Sequence, residues 1–357
     1  MEIVEEGPIQ EPNVDSDKVR MLVEDIISDG GQLRNRDLLR RFLLSAVSIV
    51  GEDLDRLNLK ILTSALVELR RAFDVFQPYR SQRKVTVFGS ARTPLDHPSA
   101  LMARELTASL REHQWLTVTG GGPGIMRAAA LGAGPDGHVG VGIRLPFEAV
   151  PEDVEEAGPR VEMKYFFTRK VMLVKESDGF VSLPGGLGTL DETFELLTLM
   201  QTGKAQLAPL VLLHPLERPF WNDLVEFIAK TLLPGGYISS SDLALVSIHD
   251  TVQDTTDELL AFYTNYCSMR WVGNQLVLRL KNLPSTVELA SLNREFSHIC
   301  TSGSIAPTEA SAQERSEDDA LDQARLALTF NRTDFGNLRR LIDALNGFSR
   351  KALPQPT

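Results

Sequence analysis

Two segments carry glycines where a strand hands over to a helix, LTVTGGGPGIM at 116–126 and FVSLPGGLGTLDE at 180–192. Glycine lets the backbone come close to an anion, and the unpaired N–H groups and partial positive charge at a helix start attract one. Two such turns in one domain point to a nucleotide site at the carboxyl ends of a parallel sheet. In the second segment Thr189 and Glu192 also have the spacing of a capping box. A cap needs none of Gly185, Gly186 and Gly188, whereas a closely held phosphate uses all three. In the first segment a tight turn with Pro123 at the helix start leaves the run of glycines unexplained, which puts Gly121, Gly122 and Gly124 nearest a ligand. Ser90, in FGSAR, lacks the G-x-S-x-G context of a nucleophile and is expected to hydrogen-bond a ligand or the turn. Arg169 and Lys170 follow Thr168, the expected N-cap. Two cations in a first turn oppose the helix dipole, and a bound phosphate or an acidic partner would compensate them.

Other chemistries find little support. GAGPDG at 132–137 satisfies G-x-G-x-x-G, but it follows a helix and precedes a strand, the reverse of the dinucleotide context. No G-x-x-x-x-G-K-[ST] occurs, and the six histidines lack ligand spacing, so neither ATP hydrolysis nor a metal or other cofactor is expected. The formal net charge of -11 disfavours broad affinity for nucleic acid or an anionic membrane. The first residues lack the basic and apolar segments of a signal peptide, and no run approaches the ~18 apolar residues of a membrane span. With Cys267 and Cys300 as the only cysteines, read as buried free thiols, the expected compartment is the cytoplasm.

These turns need a scaffold. Strands are expected to open at Lys84 and to cover 116–119, 138–145, 160–166, 179–183, 207–213 and 244–248, with helices at 100–112, 124–132, 168–177, 189–202 and 219–232. Such alternation means an α/β protein, a Rossmann-like doubly wound parallel sheet with helices on both faces. The periodicity of Leu38, Phe42, Leu62, Leu69 and Phe76 predicts two amphipathic helices between 34 and 79. The organisation expected is a disordered acidic tail (1–30), a helical N-terminal extension (31–80), a catalytic domain (81–250) and a small C-terminal α+β appendage (251–357). In the appendage, strands at 275–280 and 325–330 and helices at 286–296 and 335–345 flank a mobile loop at 301–321, rich in Ser, Ala and acidic residues.

The set VTVFGSAR, TGGGPGIM, LPFE, FFTRK and PGGLGTLDE resembles the LONELY GUY family of phosphoribohydrolases, often mislabelled as lysine decarboxylases, over roughly residues 84–247. The resemblance implies cleavage of the N-glycosidic bond of N6-modified adenosine monophosphates, giving cytokinin base and ribose 5-phosphate, by a protein that is at least a dimer. It also implies that Arg169 and Glu192 are the catalytic pair, and that Glu148, Lys170, the stretch 186–192 (with Thr189) and Thr198 contact substrate. Asp191 stands where plant members often have Glu. The chemistry is physically consistent: breaking the bond from C1′ to a purine nitrogen builds positive charge on the sugar, which a carboxylate stabilises while it orients or deprotonates water. Arg169 has three possible partners, the sugar hydroxyls, the phosphate or the departing base. A carrier or sensor of a phosphorylated nucleotide or pterin is the alternative function. Amino-acid decarboxylation would need a Schiff-base lysine.

Overall fold

A computed structural model describes residues 17–29, 35–144 and 158–352. The chain divides near residue 67 into two compact units. The first unit holds α1 (Asp17–Asp29), α2 (Arg36–Ser48) and the start of α3 (Arg56–Phe76), with Val23, Ile27 and Leu44 buried together. Residues 17–29 are therefore helical, a correction to the expected tail.

The second unit contains a seven-stranded parallel sheet in the order β4-β3-β2-β1-β5-β6-β7. Its strands are β1 (Lys84–Phe88), β2 (Leu116–Thr119), β3 (His138–Ile143), β4 (Arg160–Met163), β5 (Gly179–Ser182), β6 (Leu210–Leu213) and β7 (Ser247–His249). Strands β1, β2, β5 and β6 are buried throughout, as a sheet covered on both faces requires. On one face Val85, Val87, Val181 and Val211 pack against α4 (Pro98–Glu112), α5 (Ile125–Ala133) and α9 (Val252–Phe262). On the other, Leu116, Val118, Val139 and Phe180 pack with Phe76, α6 (Phe166–Lys175) and α7 (Leu187–Gln201). Helix α8 (Phe220–Phe227) precedes β7. Strand order reverses between β1 and β5, so the crevice of a doubly wound sheet opens where the β1, β2 and β5 turns lie.

The C-terminal part adds a four-stranded antiparallel sheet, order β10-β11-β9-β8, from β8 (Tyr266–Val272), β9 (Gln275–Leu280), β10 (Cys300–Pro307) and β11 (Ala324–Phe330). Helices α10 (Thr286–Phe296) and α12 (Phe335–Ala352) belong with it, and Leu276, Leu278, Leu326 and Phe330 join the same hydrophobic cluster as Leu116 and Val139. The expected mobile loop at 301–321 is instead β10 followed by α11 (Ala312–Glu317). A capping box of Ser311 and Glu314 starts α11, and Glu314 is buried between Arg279 and Arg325. No described helix is long and apolar enough to cross a membrane.

Candidate functional site

The peptide of Ser90 joins the two glycine turns. Its N–H donates to Pro184 O at 3.2 Å, and its carbonyl accepts from Ile125 N at 3.0 Å, the first residue of α5. Gly124 makes the second contact possible: its φ is 66°, and a Cβ there would lie 2.3 Å from Ser90 O. On the other side a Cβ on Gly185 would meet Ser90 N at 3.0 Å and the Thr189 hydroxyl at 2.0 Å. Ser90 thus braces the turns, and its own hydroxyl accepts from Arg92 N at 3.1 Å.

Helix α7 begins at Leu187 with Gly186 as N-cap and no side chain capping it. Thr189 is the third helical residue and Glu192 the sixth, so the capping box suggested by their spacing does not form. The first N–H groups of the helix therefore have no acceptor within it. Gly186, Leu187 and Gly188 are exposed, and the positions of a Cβ on Gly186 and Gly188 are open space. In the other turn the amide of Gly121 is already taken: it donates to Thr119 Oγ1 at 3.1 Å, while Gly121 O accepts from Arg160 Nη1 at 2.7 Å. Gly121 is a braced corner rather than a free donor, and the side of Gly122 is occupied by the Met126 methyl. Pro123 precedes the Gly124 N-cap and lies outside α5.

Helix α6 starts at Phe166, two residues earlier than expected. Thr168 is not its cap: its hydroxyl shares its one proton between Glu68 Oε2 at 2.8 Å and Tyr165 O at 2.9 Å. Arg169 reaches back over the sheet, its Nε donating to Val141 O at 3.1 Å and its Nη2 sitting 2.1 Å from where a Gly120 Cβ would be. Only glycine at 120 leaves room for that guanidinium. Arg169 Nη1 stands 3.9 Å from Glu192 Oε1, and Lys170 Nζ 4.0 Å from Glu192 Oε2. Lys170 also pairs with Asp191 at 2.9 Å and with Glu195. The compensation for two cations early in a helix is thus visible, and it comes from the carboxylates of α7.

Glu192 is 6% exposed. Burial raises its pKa, opposed by Arg169 and Lys170 and reinforced by Glu195 and Asp191. Burial also lowers that of Arg169, against the pull of Glu192 and Glu162. For Lys170 burial acts downward, but its hydrogen bonds to Glu195 and Asp191 prevail and raise it. Glu192's contacts to both cations are longer than hydrogen bonds, so its oxygens can accept from a water or a hydroxyl.

Arg169, Lys170, Glu192, Ser90, Thr189 and the two glycine turns converge at one crevice. Thr198 lies six residues beyond Glu192, about 9 Å along the helix, exposed and donating to Phe194 O. Glu148 lies outside the described residues. Sequence reasoning missed Gly120, Val141 O, Glu195 and the Arg160–Glu162 pair. The 191/195/198 spacing on α7 and the 160/162 alternation on β4 are the only signals they carried. Among the described residues no group of three or more His, Cys, Asp or Glu could hold a metal ion.

The fold and crevice are those of a Rossmann-like α/β protein. A family described as possible lysine decarboxylase matches residues 125–259. The cytokinin riboside 5'-monophosphate phosphoribohydrolase of Mycobacterium tuberculosis is 30% identical over 158 residues, 43% of this chain and 81% of that protein. A probable enzyme of the same name from Oryza sativa subsp. japonica is 29% identical over 198 residues, 54% of this chain and 89% of its own. Among solved structures, the molybdenum cofactor carrier protein of Chlamydomonas reinhardtii is 23% identical, covering 50% of this chain and 99% of that one at a TM-score of 0.36. By its likeness to the Mycobacterium tuberculosis phosphoribohydrolase, the chain belongs to the LONELY GUY family.

Proposed function

We propose that this protein hydrolyses the N-glycosidic bond of adenosine 5'-monophosphates, N6-modified ones included, releasing the base and ribose 5-phosphate. The observation that carries this reading is the Ser90 peptide, which holds the α5 turn against the turn that opens α7, whose open amides lie within two helical turns of Glu192. The 5′-phosphate rests on those amides, beside the α5 turn that Ser90 braces. Its binding energy, remote from the reacting bond, fixes C1′ beside the carboxylate. Glu192 orients or deprotonates water and stabilises the positive charge that grows on the sugar. Arg169 and Lys170 oppose the upward pull of burial on the Glu192 pKa, and Arg169 is placed to meet the substrate. The net charge of -11 fits a small ligand held by local devices better than a nucleic acid.

Lysine decarboxylation fits these residues poorly, because a Schiff-base lysine must shed its proton while the carboxylates around Lys170 hold its proton on. Thr198 shares an exposed strip of α7 with Asp191 and Phe194, and Phe166, Phe167 and Leu187 near the crevice are about half or more exposed. A second copy covering this strip would bring Thr198 to substrate, so a homo-oligomer is part of the proposal, checked by light scattering.

The test is product chromatography after incubation with AMP, isopentenyladenosine monophosphate and adenosine. Both monophosphates are expected to yield base, and adenosine to react at least a hundredfold more slowly for want of its anchor. Retention of a monophosphate without product would instead mark a carrier.

A further inference from the structure

A cavity of about 250 Å³ opens at the other ends of the two helices that carry Arg169, Lys170 and Glu192. Val174 and Lys175 end α6 on its wall, about 9 Å along the axis from Arg169, and the stretch after α7 contributes Ala205 and Ala208. The opposite wall is the C-terminal part: Tyr263 at the end of α9, and Tyr266, Cys267 and Ser268 on β8. Between them, at the amino edge of the sheet, Arg83 pairs with Asp178 at 2.6 Å and lies 3.7 Å over the Tyr263 ring, whose hydroxyl donates to Asp178 O.

This wall combines aromatic rings with a guanidinium. The Tyr263 and Tyr266 rings stack at an interplanar angle of 28°. Arg83 gives one N–H to Asp178, and a guanidinium has five. Of the residues lining the cavity, Arg83 and Lys175 are cationic and Asp178 is the carboxylate, which leaves one positive charge in excess on the wall. The Tyr266 hydroxyl, in a residue 1% exposed, has no partner among the described residues, and a buried polar group left so is costly. The volume is below that of a drug-sized pocket and suits a single ring with one acidic group.

We propose that this cavity is a second ligand site, for a small aromatic carboxylate or phosphate monoester, whose occupancy shifts α6 and α7 and so tunes the reaction at Glu192. The tuning rests on the function proposed above; the binding does not. Cys267 on the cavity wall is the reporter, and Cys300, away from it on β10, the internal control. Intact protein is labelled with N-ethylmaleimide in the presence of benzoate or, separately, phenyl phosphate, and each cysteine is followed by mass spectrometry. One probe or both should slow Cys267 at least fivefold with Cys300 unchanged, and the effective probe distinguishes carboxylate from phosphate. No selective slowing with either overturns the site. Arg83→Gln should abolish the protection, and persistence overturns the anion's role. Should that variant fail to fold, Ser268→Phe, which fills the cavity, serves in its place. The protecting probe should change kcat/KM for AMP at least twofold in the wild-type protein, and an unchanged value overturns the tuning. A protein that cleaves no monophosphate refutes the function and the tuning with it, while the labelling still decides the binding.

Discussion

Replacing Gly188 with Ala separates a phosphate cradle from a mere turn. Gly188 is the second residue of α7, exposed, and a Cβ there meets nothing within 4 Å. Alanine in a helix is favoured over glycine by about 0.5–1 kcal/mol, so Gly188→Ala should raise the unfolding free energy by that much. The same methyl would stand over the open amides that receive the phosphate. Loss of one hydrogen bond to a charged group costs about 1.5–3 kcal/mol, which corresponds to a rise in KM of roughly tenfold to a hundredfold. Urea unfolding and steady-state cleavage of AMP measure the two quantities on one preparation. Gly124→Ala is the contrast: at φ 66° and with a Cβ 2.3 Å from Ser90 O, it should lose roughly 2–4 kcal/mol of stability as strain and a broken hydrogen bond combine. A Gly188→Ala protein that is more stable and binds AMP with an unchanged KM would refute anchoring at α7.

Two further outcomes follow from the buried charges. Activity needs ionised Glu192, and burial raises its pKa, so the acid limb of kcat/KM should lie above the ordinary glutamate range and activity should fall as pH drops through it. Lys170→Met should move that limb up and Glu195→Gln should move it down; a limb unmoved by both would separate Glu192 from the titration. In the C-terminal part, burial acts to raise the pKa of Glu314, but the Ser311 N–H, Arg279 and the Ser311 hydroxyl outweigh it and hold the carboxyl at about 2. A depressed carboxyl stabilises above its unfolded pKa and loses that contribution as pH falls toward 2. Glu314→Gln should therefore cost about 3 kcal/mol at pH 7. The difference from wild type in urea unfolding should shrink between about pH 4.5 and 2, and a pH-independent difference would contradict the assignment.

The order of strands and helices was legible because apolar strands punctuated by glycine at 120–122 and 185–188 leave few alternatives. Helix starts were less so: Thr168 and Thr189 look like caps, yet Phe166 and Leu187 begin the helices, since the turns before them are fixed by Ser90, Pro184 and Tyr165 rather than by the threonines. Strand β10 escaped notice because only Ile305 along it is buried, so no apolar alternation is written there. Helix α11 carried a true signal, Ser311 and Glu314 at capping-box spacing, masked by an acidic, Ser-rich composition. Within the site, the sequence marks Arg169, Lys170 and Glu192 but not their partners. The grip of α7 carboxylates on Lys170 and of Val141 O on Arg169 exists only once the helices stand over the sheet.

The most direct measurement is a single turnover of AMP by Glu192→Gln with ligand binding followed on the same sample. AMP affinity within a few-fold of wild type, because the open amides at the start of α7 are intact, together with loss of adenine and ribose 5-phosphate release by at least a hundredfold, is the expected result. Release at the wild-type rate, or affinity that collapses with the carboxylate, would contradict phosphate anchoring beside a catalytic Glu192.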